Sequence, residues 1–463
     1  MDFSRASSLA PRPDSWLSSV RRGDGPLYKS ILRALEDAIR SGALQAGDRL
    51  PPQRAVADRL GVDITTVTRA YSEAGRRGWL DGAVGRGTFV RADALQDDPG
   101  RIDLSMNLPP APAGVSLADM IRDTTVDLMQ RHDAARLMAY HPGAGAPGQQ
   151  LAGAAWISPC LADVPPARVL VAPGAQAALS AILGALCAPG DAVVVEPLTY
   201  PGFRQVAERF GLRLLACPAD ADGFLPEDLA RLCRDAAPKL IYLVPTLQNP
   251  TASTTSPERR QAIAEVARAA GAWIVEDDPY SRLLEAPPAS VGSFAPERTF
   301  YLATLAKTLT PGLRIAYLAV PEGEEGERVG DALRAIALMP PPLMAAMATA
   351  WVRDGRAEHL LAGVRREARA RCAIARRILP QAYAAAEESL HVWLDLPSAW
   401  DGDSLRRAGQ QRGLSLVGAE AFATGPETRN GVRISLGGPE TQDVLTTALM
   451  RIAELVAQDP PRP

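Results

Sequence analysis

The spacing of apolar residues divides the chain into two unlike stretches. In PLYKSILRALEDAIRSGAL, apolar residues recur at Leu27, Ile31, Leu35 and Ile39, with Leu32 beside them. A four-residue repeat is the stripe of an amphipathic helix, here running to about Arg40, where Ser41-Gly42 ends it. The following AGDRLPPQRAVADRLGVDITTVTRAYSEAGRRGWLDGAVGRGTFV predicts a short helix from about Pro52 to Leu60 and a tight turn at Gly61-Val62. Asp63 then caps a second helix whose apolar stripe is Val67, Ala70, Tyr71 and Ala74. Thr65, Thr66, Thr68, Arg69 and Arg76 are left largely for solvent or a partner. WLDGAVGRGTFV reads as a two-stranded wing turning at Gly85-Arg86-Gly87. Helix, tight turn, helix is the geometry that lays a second helix in the major groove of DNA.

Residues 92–115, ADALQDDPGRIDLSMNLPPAPAGV, are rich in Asp, Pro and Gly and show no helical period. They predict a linker whose second half leads into a new domain. From residue 116 to residue 463 the pattern changes. The apolar runs VLVAPG, DAVVVEP, KLIYLVPT, AWIVEDD, TFYLATLA and RIAYLAV alternate with helical stretches such as SPERRQAIAEVARAAGA. Continuous apolar strands separated by helices predict an α/β fold with a largely parallel sheet covered on both faces. Ligands of such sheets gather at the C-terminal ends of the strands.

Length and composition narrow the class. A chain of 463 residues has room for two or three domains, and 47% hydrophobic with 22% charged residues is ordinary for a soluble globular protein. No apolar run is long enough to span a bilayer, and MDFSRASSLAPRPDSW lacks an apolar signal core. We therefore expect a cytoplasmic protein without membrane contact. The five cysteines and four histidines are scattered, so reduced thiols and no metal site are expected. Net charge is −3 and uneven: residues 1–91 hold 15 Lys plus Arg against 10 Asp plus Glu, a surplus of +5 that leaves −8 on the remainder. A basic front on an acidic body points to a nucleic-acid module joined to something else.

The candidate chemistry sits at the predicted strand ends. Gly174-Ala175-Gln176 opens a helix, where backbone N–H groups can hold a phosphate. Tyr200 follows the next strand, Asn249 lies in QNPT, and Asp277 and Tyr280 lie in EDDPY. Thr304, Lys307 and Arg314 follow within LATLAKTLTPGLRIAYL. A phosphate cradle, an aromatic face, a carboxylate, a phenol and a lysine are what pyridoxal 5′-phosphate uses.

The first stretch resembles the winged helix-turn-helix of the GntR regulators. Leu50-Pro51-Pro52-Gln53-Arg54, Leu60-Gly61-Val62-Asp63-Ile64-Thr65-Thr66-Val67, Ala70-Tyr71 and Gly85-Arg86-Gly87-Thr88-Phe89-Val90 carry the resemblance. It implies double-stranded DNA as a partner, contacted by Arg54, Thr65, Thr66 and the wing around Arg86. Ile64 departs from a basic residue often found at its position. Residues 116–463 resemble a fold-type I aminotransferase, a large domain with a mostly parallel sheet and a smaller α+β subdomain from about residue 336. That resemblance implies Lys307 as the Schiff-base lysine, Thr304 and Arg314 on the phosphate, and Ala175 and Gln176 at the phosphate-binding helix start. It implies Asp277 on the ring nitrogen, Asn249 and Tyr280 on the ring hydroxyl, and Tyr200 stacked on the ring. Tyr140 would reach the phosphate of a neighbouring subunit, and Arg433 would grip a ligand carboxylate. The departures are Ala252 where glycine is usual, Ala306 where serine commonly precedes the lysine, and Gln149-Gln150 where a Leu-Arg pair is common.

Together the two stretches resemble the MocR subfamily of bacterial regulators. The resemblance implies a homodimer that senses a small amine or amino acid by aldimine exchange at Lys307. An active aminotransferase, with Lys307 and Asp277 as catalytic groups, and a regulator sensing the cofactor itself are the competing expectations.

Overall fold

The computed structural model describes residues 15–21, 26–41, 43–45, 47–83, 87–91, 101–131, 133–141, 143, 145–425 and 429–458. It divides into two compact units, Met1–Arg101 and Ile102–Pro463.

In the first unit α1 (Leu27–Arg40), α2 (Gln53–Leu60) and α3 (Ile64–Arg76) enclose a core to which α1 contributes Ile31, Leu32, Leu35 and Ile39. The stripe of α3, Val67, Ala70, Tyr71 and Ala74, is buried against it. Truncating a fully buried side chain such as Leu35 to alanine costs about 2–5 kcal/mol. Gly61 ends α2 in the left-handed conformation (φ 61°), which a residue without Cβ adopts freely. The Asp63 carboxylate accepts the Thr65 N–H at 2.8 Å and so caps α3. The Tyr71 hydroxyl donates to the Pro51 carbonyl at 3.0 Å, tying α3 to the start of α2. Behind them β1 (Leu80–Ala83) pairs antiparallel with β2 (Gly87–Val90), Leu80 opposite Val90. Gly42, Gly85 and Arg86 lie outside the described residues.

The second unit opens with β3 (Ile102–Asp103). The main strands are then β4 (Val169–Ala172), β5 (Ala192–Val195) and β6 (Arg213–Ala216), followed by a hairpin of β7 (Ala219–Asp220) and β8 (Gly223–Phe224). Next come β9 (Leu240–Leu243), β10 (Trp273–Asp277), β11 (Thr299–Thr304) and β12 (Ala316–Ala319). The last four are β13 (His391–Asp395), β14 (Leu414–Ser415), β15 (Val417–Gly418) and β16 (Gly431–Ser435). Seven strands form one sheet in the order β4-β12-β11-β10-β9-β5-β6. β11, β10, β9, β5 and β6 run parallel, while β12 runs antiparallel to both of its neighbours. Every residue of β4, β5, β9, β11 and β12 is buried, as continuous apolar runs require of a sheet covered on both faces.

Two boundaries differ from the expected ones. Ile102 and Asp103, placed by sequence in the linker, pair in parallel with Leu414 and Ser415, so the second unit starts there. A two-residue strand carries no periodicity, and only its distant partner reveals it. The separate smaller core, expected from about residue 336, includes Cys372, Ala375 and Leu379 but not the helix Pro342–Arg353. That helix buries Ala345, Met347, Ala348 and Trp351 in the core of the large sheet. The long helix Arg356–Ile378 serves both cores, with Leu360, Leu361 and Val364 in the large one and Cys372 and Ala375 in the small one. β13, β16 and β15 make the antiparallel sheet of the small core.

Candidate functional site

The C-terminal ends of the parallel strands surround a cavity of about 460 Å³. Its walls include Ala175, Gln176, Tyr200, Asn249, Asp277, Tyr280, Thr304, Lys307, Arg314 and Arg433. Tyr140 is not among the lining residues and is 78% exposed. Of the expected DNA contacts, Arg54 and Thr65 are exposed and Thr66 is half-buried, while Arg86 lies outside the described residues. The Thr65 hydroxyl donates to Asp63 at 2.5 Å and the Thr68 hydroxyl to Gln53 at 2.7 Å. Arg69 stacks over the Tyr28 ring at 4.1 Å, which turns it toward α1.

One end of the cavity is built for an anion. Gly174 (φ 96°) precedes the helix Ala175–Leu186, and a Cβ there would stand 2.5 Å from Arg314 Nη2. Glycine thus allows the guanidinium to lie against the start of the helix, where unpaired N–H groups and the helix dipole favour negative charge. Arg314 itself takes the left-handed conformation (φ 51°) after Pro311–Leu313. The Gln176 amide donates to the Gly202 carbonyl at 2.8 Å, and its own oxygen is buried without a hydrogen-bond partner among the described residues. The Thr304 hydroxyl, at the end of β11, accepts the Ala306 N–H at 3.2 Å.

At the centre, burial pushes the Asp277 carboxyl up to about 7, opposed by the Tyr242 hydroxyl that donates to it at 2.8 Å. Phe203 stacks on Tyr242 with ring centroids 3.6 Å apart and fixes that phenol. Burial, with Arg433 and Arg314 nearby, brings the Lys307 amine down to about 8, against the pull of Asp277. Burial likewise raises the Tyr280 and Tyr200 phenols. Glu196, which accepts the Val244 N–H at 3.3 Å, is pushed up to about 8 by burial.

At the far end Arg433 donates from Nη1 to Asn249 Oδ1 at 2.7 Å and from Nη2 to the Ser105 carbonyl. Its Nε is buried without a partner among the described residues, and its guanidinium lies 5.0 Å from the centre of the Phe422 ring. Desolvation lowers its basicity.

Sequence reasoning missed four groups here. Asn107 donates from Nδ2 to Tyr280 Oη at 2.9 Å and to His391 Nδ1 at 3.0 Å, and its backbone carbonyl accepts from Lys307 Nζ at 2.5 Å. His391 Nε2 faces the Gln248 carbonyl at 3.0 Å, and burial holds the ring down to about 3. The imidazole is therefore neutral with its proton on Nε2, leaving Nδ1 to accept from Asn107. Ser105 and Asn107 fell in the stretch read as a linker, which carries no signal of contact. Tyr242 alone had a visible signal, a phenol inside the apolar run KLIYLVPT. The departure at position 252 has a structural consequence: Ala252 is fully buried at φ 55°, a conformation that costs a residue with Cβ about 1 kcal/mol and that glycine adopts freely. The Gln149 side chain accepts the Ala146 N–H at 3.1 Å and caps its helix.

The model of aminotransferase class I and II matches residues 99–449, about three-quarters of the chain. The chain belongs to this family. The model of the bacterial regulatory proteins of the gntR family matches residues 27–90, so a GntR helix-turn-helix precedes the aminotransferase-like domain in a MocR-like architecture. The uncharacterized HTH-type transcriptional regulator YdeF of Bacillus subtilis is 30% identical over 97% of this chain and 98% of its own. The probable rhizopine catabolism regulatory protein MocR of Rhizobium meliloti is 30% identical over 65% of this chain and 66% of its own. Among solved structures, a multiple substrate aminotransferase from Thermococcus profundus superposes with a TM-score of 0.71 at 25% identity, over 78% of this chain and 92% of that one.

The residues present fit the pyridoxal 5′-phosphate of the aminotransferase fold. The Gly174–Arg314 approach leaves a cradle that a Cβ would fill, and the Lys307 amine and the Asp277 carboxylate face one cavity. The described residues contain no group of His, Cys, Asp and Glu arranged to hold a metal ion, and no helix among them is long and apolar enough to cross a membrane.

Proposed function

We propose that the protein is a cytoplasmic, homodimeric transcription regulator that holds pyridoxal 5′-phosphate at Lys307. A small amine or amino acid, bound in the same cavity, alters its hold on DNA. The observation that carries this reading is the convergence of a low-basicity lysine, a buried carboxylate and a buried arginine on one cavity, in a chain whose front is a helix-turn-helix.

Bound there, the cofactor supplies an aldehyde carbon open to amines and a pyridine ring that draws electrons from it. Ala175 and Gln176 would bind its phosphate through the helix start, with Thr304 and Arg314 donating beside them. Asp277, steadied by Tyr242, would keep a proton on the ring nitrogen, since an N–H⁺ beside it offsets the cost of its buried charge. Tyr280 and Asn249 would reach the ring hydroxyl, and Tyr200 would cover the ring face. A ligand carboxylate would satisfy the free Nε of Arg433 in a paired, charge-assisted contact.

Arg54, Thr65, Thr66 and Arg86 are proposed to contact DNA, the threonines from α3 in the major groove. Exposed apolar residues on the helices Leu117–Arg131 (Ile121, Val126, Met129) and Pro147–Ile157 (Leu151), together with Met138 and Tyr140, support a second copy covering this region. Tyr140 would then serve the neighbouring subunit's phosphate.

A working aminotransferase is the second reading, favoured by Lys307 and Asp277 sharing one cavity. A panel of amines and amino acids, titrated into the cofactor-loaded protein with absorbance and DNA affinity read together, tests both. A ligand that shifts both signals without turnover of a 2-oxo acid supports the regulator. Steady turnover at metabolic rates, with DNA affinity unmoved, would overturn it.

A further inference from the structure

Two backbone carbonyls already accept from the arginine and the lysine of the cavity, and both belong to the stretch by which the chain enters the second unit. The Ser105 carbonyl accepts from Arg433 Nη2, and the Asn107 carbonyl accepts from Lys307 Nζ. This stretch is a seated element. Ile102 N–H donates to the Gly413 carbonyl at 2.8 Å, Leu104 N–H to Ser415 at 3.0 Å, and Ser435 N–H returns to the Leu104 carbonyl at 2.9 Å. Two glycines make room for it. A Cβ on Gly437 would stand 1.8 Å from the Leu108 carbonyl oxygen, and one on Gly438 would stand 2.5 Å from that of Asp103. Neither glycine takes a positive φ among the described residues, so space and not backbone freedom is what these positions supply.

The two ends of the Ser105–Arg433 contact are unequal. Arg433 is buried, so it keeps a partner at all times or suffers the cost of an unpaired buried charge. Ser105 is only half-buried and Met106 beside it is 57% exposed, so the Ser105 carbonyl can turn to water. A carboxylate is also a stronger acceptor for guanidinium than a neutral carbonyl. Exchange of one for the other therefore favours release of the segment.

We propose that residues 105–107 are an internal, displaceable occupant of the ligand site. A bound carboxylate takes Arg433 from the Ser105 carbonyl and loosens the segment through which the chain continues from the DNA-binding unit. The proposal rests on the reading that this cavity binds an amino-acid-like effector, and it names the element that ligand binding moves. A ligand changes an equilibrium only through contacts that differ between two states, and the shared hold on Arg433 is such a contact.

The experiment is amide hydrogen exchange of the full-length, cofactor-loaded protein over residues 102–108, with affinity for a DNA site selected in vitro by the wild type. Arg433→Met removes the contact without any ligand. Gly438→Ala pushes the segment from the other side. Each is expected to speed exchange over 102–108 by about tenfold or more, the effect of losing one hydrogen bond to a charged group. Both are expected to shift DNA affinity in the same direction. Should Gly438→Ala fail to fold, free glycine and methylamine on the wild type replace it. These two probes share an amine and differ in the carboxylate, and only glycine should speed exchange. Unchanged exchange in Arg433→Met overturns the proposal. So does glycine that shifts the cofactor absorbance while leaving the segment protected. If neither probe shifts the absorbance, the effector reading loses its support, and the Arg433→Met result still decides the role of the segment.

Discussion

Capture of the cofactor by the empty protein should show the lowered basicity of Lys307 directly. Only a neutral amine attacks an aldehyde. Desolvation and the nearby Arg433 and Arg314 bring Lys307 down from 10.5 to about 8, while Asp277 opposes them. At pH 7 an amine of the first kind is about 0.03% neutral and one of the second about 10%, a gain of roughly 300-fold in reactive form. Stopped-flow mixing of cofactor-free protein with pyridoxal 5′-phosphate, followed by absorbance from pH 6 to 10, reads the consequence. The rate should rise about tenfold per pH unit, bend near pH 8 and level off above it. Arg433→Met removes a positive neighbour and moves the bend to higher pH. Asp277→Asn removes the negative one and moves it lower. The same shift has a stability counterpart whose sign is fixed. Between pH 8 and 10.5 the unfolded chain holds a proton that the folded one has shed, so stability of the cofactor-free protein rises with pH in that window. A rate that climbs past pH 9.5 without bending, or a bend that ignores both substitutions, refutes the reasoning.

Gly174→Ala places a methyl group 2.5 Å from Arg314 Nη2 at φ 96°, and cofactor affinity measured by titration should fall at least tenfold with the fold intact by circular dichroism. Arg260→Met leaves Glu276, buried 3.6 Å away and pushed up to about 7 by burial, without its cation, and should cost about 3–5 kcal/mol in urea denaturation. Arg54→Ala should weaken DNA binding and flatten its salt dependence while the cofactor absorbance stays unchanged. Tyr242→Phe withdraws the hydrogen bond on Asp277 and should weaken cofactor binding by about tenfold in the same titration.

Much of the site was legible because each element advertises its own end. Asp277 closes an apolar run that becomes β10, Thr304 closes β11, and Lys307 follows it by three residues, so strand ends and their residues could be read together. The stripe of α3 and the Asp63 cap were legible for the same reason, since a helix period and a capping residue are local properties. Residues 102–115 were not legible in this way. Asn107 meets Tyr280 173 positions away and His391 284 positions away, and nothing local to SMNLPP reports either contact.

The sequence by itself therefore determined the two-part plan, the main helices and strands, and the strand-end residues that come together around one cavity, because periodicity, caps and strand ends are written within a few neighbouring positions. Only the tertiary structure decided that β12 runs against its neighbours, that the chain joins the second unit at Ile102, and that Ser105 and Asn107 sit on Arg433 and Lys307. Those outcomes depend on which distant backbone groups find each other once the apolar surfaces close, and a carbonyl group looks the same at every position of the chain.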